Sequence, residues 1–304
     1  MKSSAKKEIL GVNIVYLVTA IILLTIGGYV QSKNIKSGLI ITEFILILLP
    51  PLIYAKIKKV NIIQFFRLKR LKIKDAILVV IITICTYPIA LFFNLVFMIF
   101  ISMVHPIIKP PVPTANDFGE YIILMFVVAV SAGICEEFFF RGLMLRGYEK
   151  IGKRKAIIFS AVLFGLFHFN IQNFAGPVVL GLIFGYLVDR TDSIFAGIIG
   201  HITNNGIAVT LGLLLNLANK NQYIQQNMKA TEKMPNTMEL VGVTIGMGII
   251  AVIAGICVYG LMKLVSKSVA NENIILSEKS SFVSFIPIFV STIIYMFVVY
   301  LQLR

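Results

Sequence analysis

Two adjacent carboxylates, an arginine, two imidazoles and an amide lie in or beside stretches of this chain apolar enough for a bilayer. They are Glu136, Glu137, Arg141, His168, His201 and Asn205. An ionisable residue at the centre of a membrane helix costs about 2.5 to 3.5 kcal/mol on insertion scales. Five of the six are ionisable, and they fall within 66 positions, a concentration that chemistry explains better than chance. Carboxylate, imidazole and amide groups together can hold a water and polarise a carbonyl, which is what hydrolysis requires.

Helical spacing gives these residues distinct tasks. In Cys135-Glu136-Glu137-Phe138-Phe139-Phe140-Arg141, Glu137 and Arg141 are four apart and share a face, so they can pair. Glu136 is turned about 100° from Glu137 and stays free of that pair. One carboxylate is then structural and its neighbour chemically available, although a Glu and an Arg at a helix end would read the same way. Phe164 and His168 share a face, as do His201 and Asn205. Alone, a histidine in an apolar helix is more often a packed, hydrogen-bonded residue, and polar side chains also glue membrane helices together. Cys135 beside Glu136 suggests a thiol nucleophile, but a thiol buried among apolar groups is usually inert. His105, ahead of Pro106, reads as interfacial.

Positioning these groups requires membrane helices. Hydrophobic residues make up 58% of the 304 residues and charged residues 14%. Six stretches lack any Asp, Glu, Lys or Arg: 9–32, 76–108, 156–188, 193–219, 240–262 and 280–303. Each exceeds the roughly 20 apolar residues of a spanning helix. Two weaker candidates are 37–55, with Glu43 and Pro50-Pro51, and 119–140, which runs into Glu136-Glu137. Stretch 156–188 is too long for one crossing and is punctuated by Asn170-Ile171-Gln172-Asn173 and Gly176-Pro177, which predicts two short helices. The fold class is an all-α polytopic membrane bundle of nine spans, or eight if 37–55 is re-entrant. It divides into N-terminal helices with a basic loop (1–118), a core bearing the three motifs (119–217) and an outer loop with two final helices (218–304).

The formal net charge of +14 would suggest nucleic acid as a partner in a soluble protein. Here the basic residues are confined to loops, without zinc spacings, Trp or interleaved aromatics, so nucleic acid is excluded and the charge reads as topology. Segment 56–75 carries eight Lys or Arg against one Asp, and 146–155 carries five against one Glu. The positive-inside rule places both in the cytoplasm, with 105–118 and 218–239 outside. The first apolar stretch reads as a retained anchor, being too long for a signal peptide and lacking a small-residue cleavage site. Cys85, Cys135 and Cys257 have no motif spacing and read as buried free thiols.

Gly152 lies sixteen residues from both Glu136 and His168. A helix hairpin turning at 149–155 therefore brings the two to one depth. A second reversal at Asp189 to Ser193 starts a helix from the same side and carries His201 about 12 Å inward at 1.5 Å per residue. The three elements converge below the cytoplasmic surface.

At these residues the chain resembles the CAAX-protease and bacteriocin-processing (CPBP, or Abi) family of intramembrane endopeptidases, and is similar to its type II CAAX prenyl endopeptidases. The family pattern is Glu-Glu-x-x-x-Arg, then Phe-x-x-x-His, then His-x-x-x-Asn or Asp, each on its own helix. This chain carries it at Glu136 to Arg141, Phe164 to His168 and His201 to Asn205. Gly181-x-x-x-Gly185 and Asp192-Ser193-Ile194 also look like the family. The resemblance covers about 119–210. It implies about eight helices around a hydrophilic cavity open to the cytoplasm, and an endopeptidase acting on a membrane-associated or lipidated polypeptide. Carried over, Glu136 is the catalytic glutamate, His168, His201 and Asn205 its partners, and Glu137 with Arg141 the supporting pair.

Two mechanisms fit. In the favoured one, without a metal, Glu136 and His168 deprotonate a water while His201 and Asn205 donate to the oxyanion. In the other, of a metalloprotease type, Glu136, His168 and His201 bind zinc. Against zinc stand the lack of a His-Glu-x-x-His motif and the poor ligand quality of Asn. The competing functions are a non-catalytic membrane partner or immunity factor, and a proton-coupled transporter using a buried glutamate. Transporter halves usually show similar patterns, and none is seen here.

Overall fold

The computed structural model describes residues 5–107, 113–220, 236–268 and 279–304. Among them the chain is helical throughout. In order the main helices are α1 (Ala5–Lys33), α2 (Ile35–Ile57), α3 (Ile73–Ser102), α4 (Phe118–Ile151), α5 (Lys153–Leu166), α6 (Ala175–Thr191), α7 (Ile194–Lys220), α8 (Thr237–Leu264) and α9 (Phe282–Gln302). Polar caps set the starts of several. The Asn34 side chain accepts from the Ser37 N–H and turns α1 into α2 within one residue. Asp117 opens α4, and Asn236 with Glu239 forms a capping box at α8.

Among the described residues, eight helices are long and apolar enough to cross a membrane. The count matches the lower of the two expectations, but for a different reason. The 37–55 stretch belongs to α2, a full-length helix. The incomplete element is α5, whose 14 residues reach about 21 Å at 1.5 Å per residue. The chain breaks after α5 at residues 167–174 and re-enters as α6, so 156–188 does hold two short helices. Weak candidate 119–140 is part of α4, which runs straight through Glu136, Glu137 and Arg141 to Ile151.

Apolar side chains face outward along most helices, as a lipid solvent demands: Ile73, Ile245, Val252 and Ile293 are exposed. Cys257, expected to be buried, is exposed on α8, while Cys135 is buried and Cys85 half-buried. Helix α8 packs mainly along α3 at the rim of the bundle, so most of its side chains, Cys257 among them, stay outside the core. Inside, buried polar groups join the helices. The Tyr148 hydroxyl donates to Asn13 at 2.6 Å, and the Asn13 amide donates to the Ser284 carbonyl at 2.8 Å.

Both basic loops and the 189–193 turn meet at one end of the bundle. Arg67, read from sequence as a loop charge, is buried and binds both Glu149 and Asp192 (2.8 Å to the latter). Arg146 also binds Glu149, at 2.8 Å, and Lys69 binds Asp192. The Ile194 N–H donates to the Arg67 carbonyl at 3.0 Å and the Ser193 hydroxyl to the Lys69 carbonyl at 2.6 Å. Burial alone would raise the Asp192 carboxyl, but hydrogen bonds from Lys69 and the charge and hydrogen bond of Arg67 hold it below its ordinary value. Its stabilisation is therefore present above the ordinary carboxylate pKa and disappears only as pH falls through the lower, folded value. This clamp orients the start of α7, the helix that carries His201.

Candidate active site

Helix α4 delivers the glutamate pair, and its turns widen to the π type from Phe138 to Met144, just after Glu137; single π turns often mark functional sites. Gly152, with φ of +111°, is the hairpin hinge. Only a residue without Cβ adopts that conformation freely, and it sends α5 back antiparallel to α4. Asp192, in the left-handed region with φ of 52°, makes the second reversal into α7. Through these two turns Glu136, His168, His201 and Asn205 come to line one cavity of about 330 Å³.

The two glutamates occupy different environments. Glu137 is fully buried, and its Oε1 accepts from Arg141 Nη1 at 2.7 Å and from His201 Nδ1 at 3.0 Å. Its Oε2 packs against Gly197, where a Cβ would stand 2.3 Å away. Glu136 is partly open to the cavity, and its buried Oε2 has no hydrogen-bond partner. The nearest cationic candidate is His201 Nε2 at 3.9 Å, beyond hydrogen-bond distance. One carboxylate is thus committed to structure, while the other lines the cavity with a buried oxygen that has no hydrogen-bond partner.

The imidazoles are oriented in turn. His168 Nδ1 lies 2.9 Å from the Phe164 carbonyl. A carbonyl only accepts, so Nδ1 carries the hydrogen, and in the neutral ring Nε2 presents its lone pair. His201 donates from Nδ1 to Glu137, which directs its Nε2 toward Glu136. Phe164 meets both rings edge-on, with centroids 5.0 Å from His168 and 5.6 Å from His201. It also lies 4.7 Å from the Arg141 guanidinium carbon, a cation–π contact. The Phe of the second motif therefore holds the other two motifs in place.

Asn205 donates from Nδ2 to the Val128 carbonyl at 2.9 Å, and its Oδ1 accepts from Asn204 at 3.0 Å. One N–H of Asn205 is thereby committed to α4. Sequence reasoning missed several residues here. Phe184 of α6 stacks on His201 at 6.0 Å and faces Arg141, and nothing distinguishes it among 23 phenylalanines. Asn94 of α3 accepts from the Gly176 N–H and donates to the Gln172 carbonyl at 2.8 Å, bracing the loop after His168. An isolated amide in the uncharged 76–108 stretch was its available signal. Glu43 of α2 is a further buried carboxylate, with Oε2 unpartnered. His105 lies at the end of α3, away from the cavity, as expected.

Fold and site together define the class, an all-α multi-pass membrane protein with a carboxylate–imidazole cluster inside its bundle. Residues 118–207 match the family model described as type II CAAX prenyl endopeptidase Rce1-like, a span that takes in all three motifs. No curated protein and no solved structure matches the chain. The match supports a CAAX-type intramembrane protease in general.

Proposed function

We propose that the chain is an intramembrane endopeptidase hydrolysing a peptide bond of a membrane-associated or lipidated polypeptide. The observation that carries this reading is that Glu136, whose buried oxygen is uncommitted, lines the same cavity as His168, whose Nδ1 is committed to a carbonyl. Glu136 takes a proton from a water that His168 orients, and the hydroxide attacks the scissile carbonyl. Protonated Glu136 then returns that proton to the leaving amine. Asn205 and His201 face the developing oxyanion. For His201 to donate there, Nε2 must also carry a proton, as an imidazolium held on its other side by Glu137. Asn94, Asn173 and Asn204 add amide groups to a largely apolar wall, which suits an extended backbone with hydrophobic side chains. Cleavage of a model peptide by purified protein, lost in Glu136→Ala, tests the reading. Intact peptide with unmodified protein would return the chain to a non-catalytic membrane role, and proton flux in vesicles without cleavage would make it a transporter.

Glu136, His168 and His201 supply the donor types of a zinc site, but as placed they do not form a ligand set. Among the described residues no three His, Cys, Asp or Glu are grouped closely enough to hold a metal ion. The reaction is written without one. Protein stripped with a strong chelator, and shown by elemental analysis to lack zinc, should therefore cleave at its original rate. Stoichiometric zinc that leaves and returns together with activity would establish the metallo-type reaction instead.

The cavity is reached from the cytoplasm in this reading, with the substrate bond near the inner leaflet. Support comes from the clustering of both basic loops with the 189–193 turn at one end of the bundle. In a background lacking Cys85, Cys135 and Cys257, Arg154→Cys should resist a membrane-impermeant thiol reagent until cells are opened, while Asn116→Cys should label at once. Both positions are exposed. Immediate labelling at 154 would invert the topology.

A further inference from the structure

A second groove, of about 760 Å³, runs where the first turns of α3 face those of α7. Its wall includes Ile73, Ala76, Ile77, Val80, Phe195 and Ile199, and it shares no lining residue with the cavity around Glu136. Arg70 also lines this groove and, with Lys72, an adjoining recess of about 360 Å³. Both cations are exposed, and neither forms an ion pair with a described residue. Their neighbours Arg67 and Lys69 are engaged by Glu149 and Asp192. Lys72 also occupies the N-cap of α3 without a side-chain cap, so a 30-residue helix begins there with the positive end of its dipole beside two free cations. The carboxylate of that first turn, Asp75, is buried and accepts from the Ser266 N–H at 2.9 Å.

We propose that this groove binds an anionic phospholipid, with an acyl chain along Ile73, Ile77 and Phe195 and the phosphate at Arg70 and Lys72. The long apolar wall suits the chain. Two free cations at the level where a membrane helix begins suit a headgroup phosphate, since each Lys or Arg near a membrane surface attracts anionic lipid appreciably. An uncharged prenyl tail would fill the wall but leave both cations without a counterion. The bound lipid would brace the start of α7, where Ile199 lies two residues before His201. The binding stands independently of the reaction proposed above.

Native mass spectrometry of the purified full-length chain, titrated with dioleoyl phosphatidylglycerol or dioleoyl phosphatidylcholine, tests it. One phosphatidylglycerol should be retained in preference to phosphatidylcholine. The double substitution Arg70→Gln, Lys72→Gln should weaken its binding roughly thirtyfold, from two surface cations acting together. Arg154→Gln with Lys155→Gln, which removes the same charge from the other basic loop, should leave binding unchanged. Ala76→Phe, which fills the groove, should abolish it while the unfolding temperature stays within a few degrees. Equal retention of the two lipids, or equal weakening by the control pair, would overturn the site. Displacement of phosphatidylglycerol one for one by a neutral farnesylated peptide would also overturn it and make the groove a tail site.

Discussion

Glu136→Gln is expected to lower peptide cleavage by about 10² to 10⁴-fold, the range a positioned general base contributes, without lowering the unfolding temperature. The amide has nearly the shape of the carboxylate. Glu136 makes no hydrogen bond through its buried oxygen and pairs with no arginine or lysine, and its nearest cationic candidate, His201 Nε2, stands 3.9 Å away, so the substitution breaks no internal hydrogen bond. It replaces a partly buried charge by a neutral group, which leaves folding unchanged or slightly favoured. The adjacent substitution behaves differently. Glu137→Gln strips the charge that holds Arg141 at 2.7 Å. Leaving one member of a buried pair uncompensated typically costs about 3 to 5 kcal/mol, so this variant should unfold at a lower temperature and lose activity with it. Equal activity and equal stability in the two variants would remove the division of labour between the glutamates.

Gly197→Ala should be comparably destabilising, although it adds one methyl group to a helix that alanine ordinarily favours. That methyl carbon would stand 2.3 Å from Glu137 Oε2 and 3.1 Å from a Val188 methyl. The carboxylate cannot swing aside without releasing Arg141 and His201. Either the Glu137 network breaks, at about 3 to 5 kcal/mol, or α7 backs away from α4 and takes His201 with it. Thermal unfolding and cleavage should both fall. Gly206→Ala on the same helix is the control, since its nearest neighbour is the flexible end of Met125 at 3.4 Å. Matching unfolding temperatures for the two alanine variants would show that Glu137 is not locked.

The membrane helices were legible because lipid enforces a simple rule: a span needs a long run free of charge. That rule counts charge-free length, so it allowed nine spans by including α5, whose 14 residues fall short of a full crossing. Glu43 and two prolines left a re-entrant 37–55 open as the alternative to a span, yet the carboxylate is simply buried among neighbouring helices and the prolines fall in the first turns after a widened stretch. Arg67 was misread for a related reason. A basic residue in a loop is normally solvated, and only its two acidic partners, from 82 and 125 positions away, make its burial tolerable.

By itself the sequence determined which residues could do chemistry and which faces they share, because helical periodicity is local and polar groups are costly in lipid. Their equal spacing from Gly152 also led to the expectation that Glu136 and His168 meet, and both line one cavity. Only the tertiary structure decided what each group touches. That Glu137 rather than Glu136 takes both Arg141 and His201, that Phe164 and Phe184 hold that cluster, and that Asn205 gives one N–H to α4 all depend on rotation and spacing between helices. Those quantities are set by side-chain packing across long sequence separations, down to the single missing Cβ at Gly197, and no local pattern encodes them.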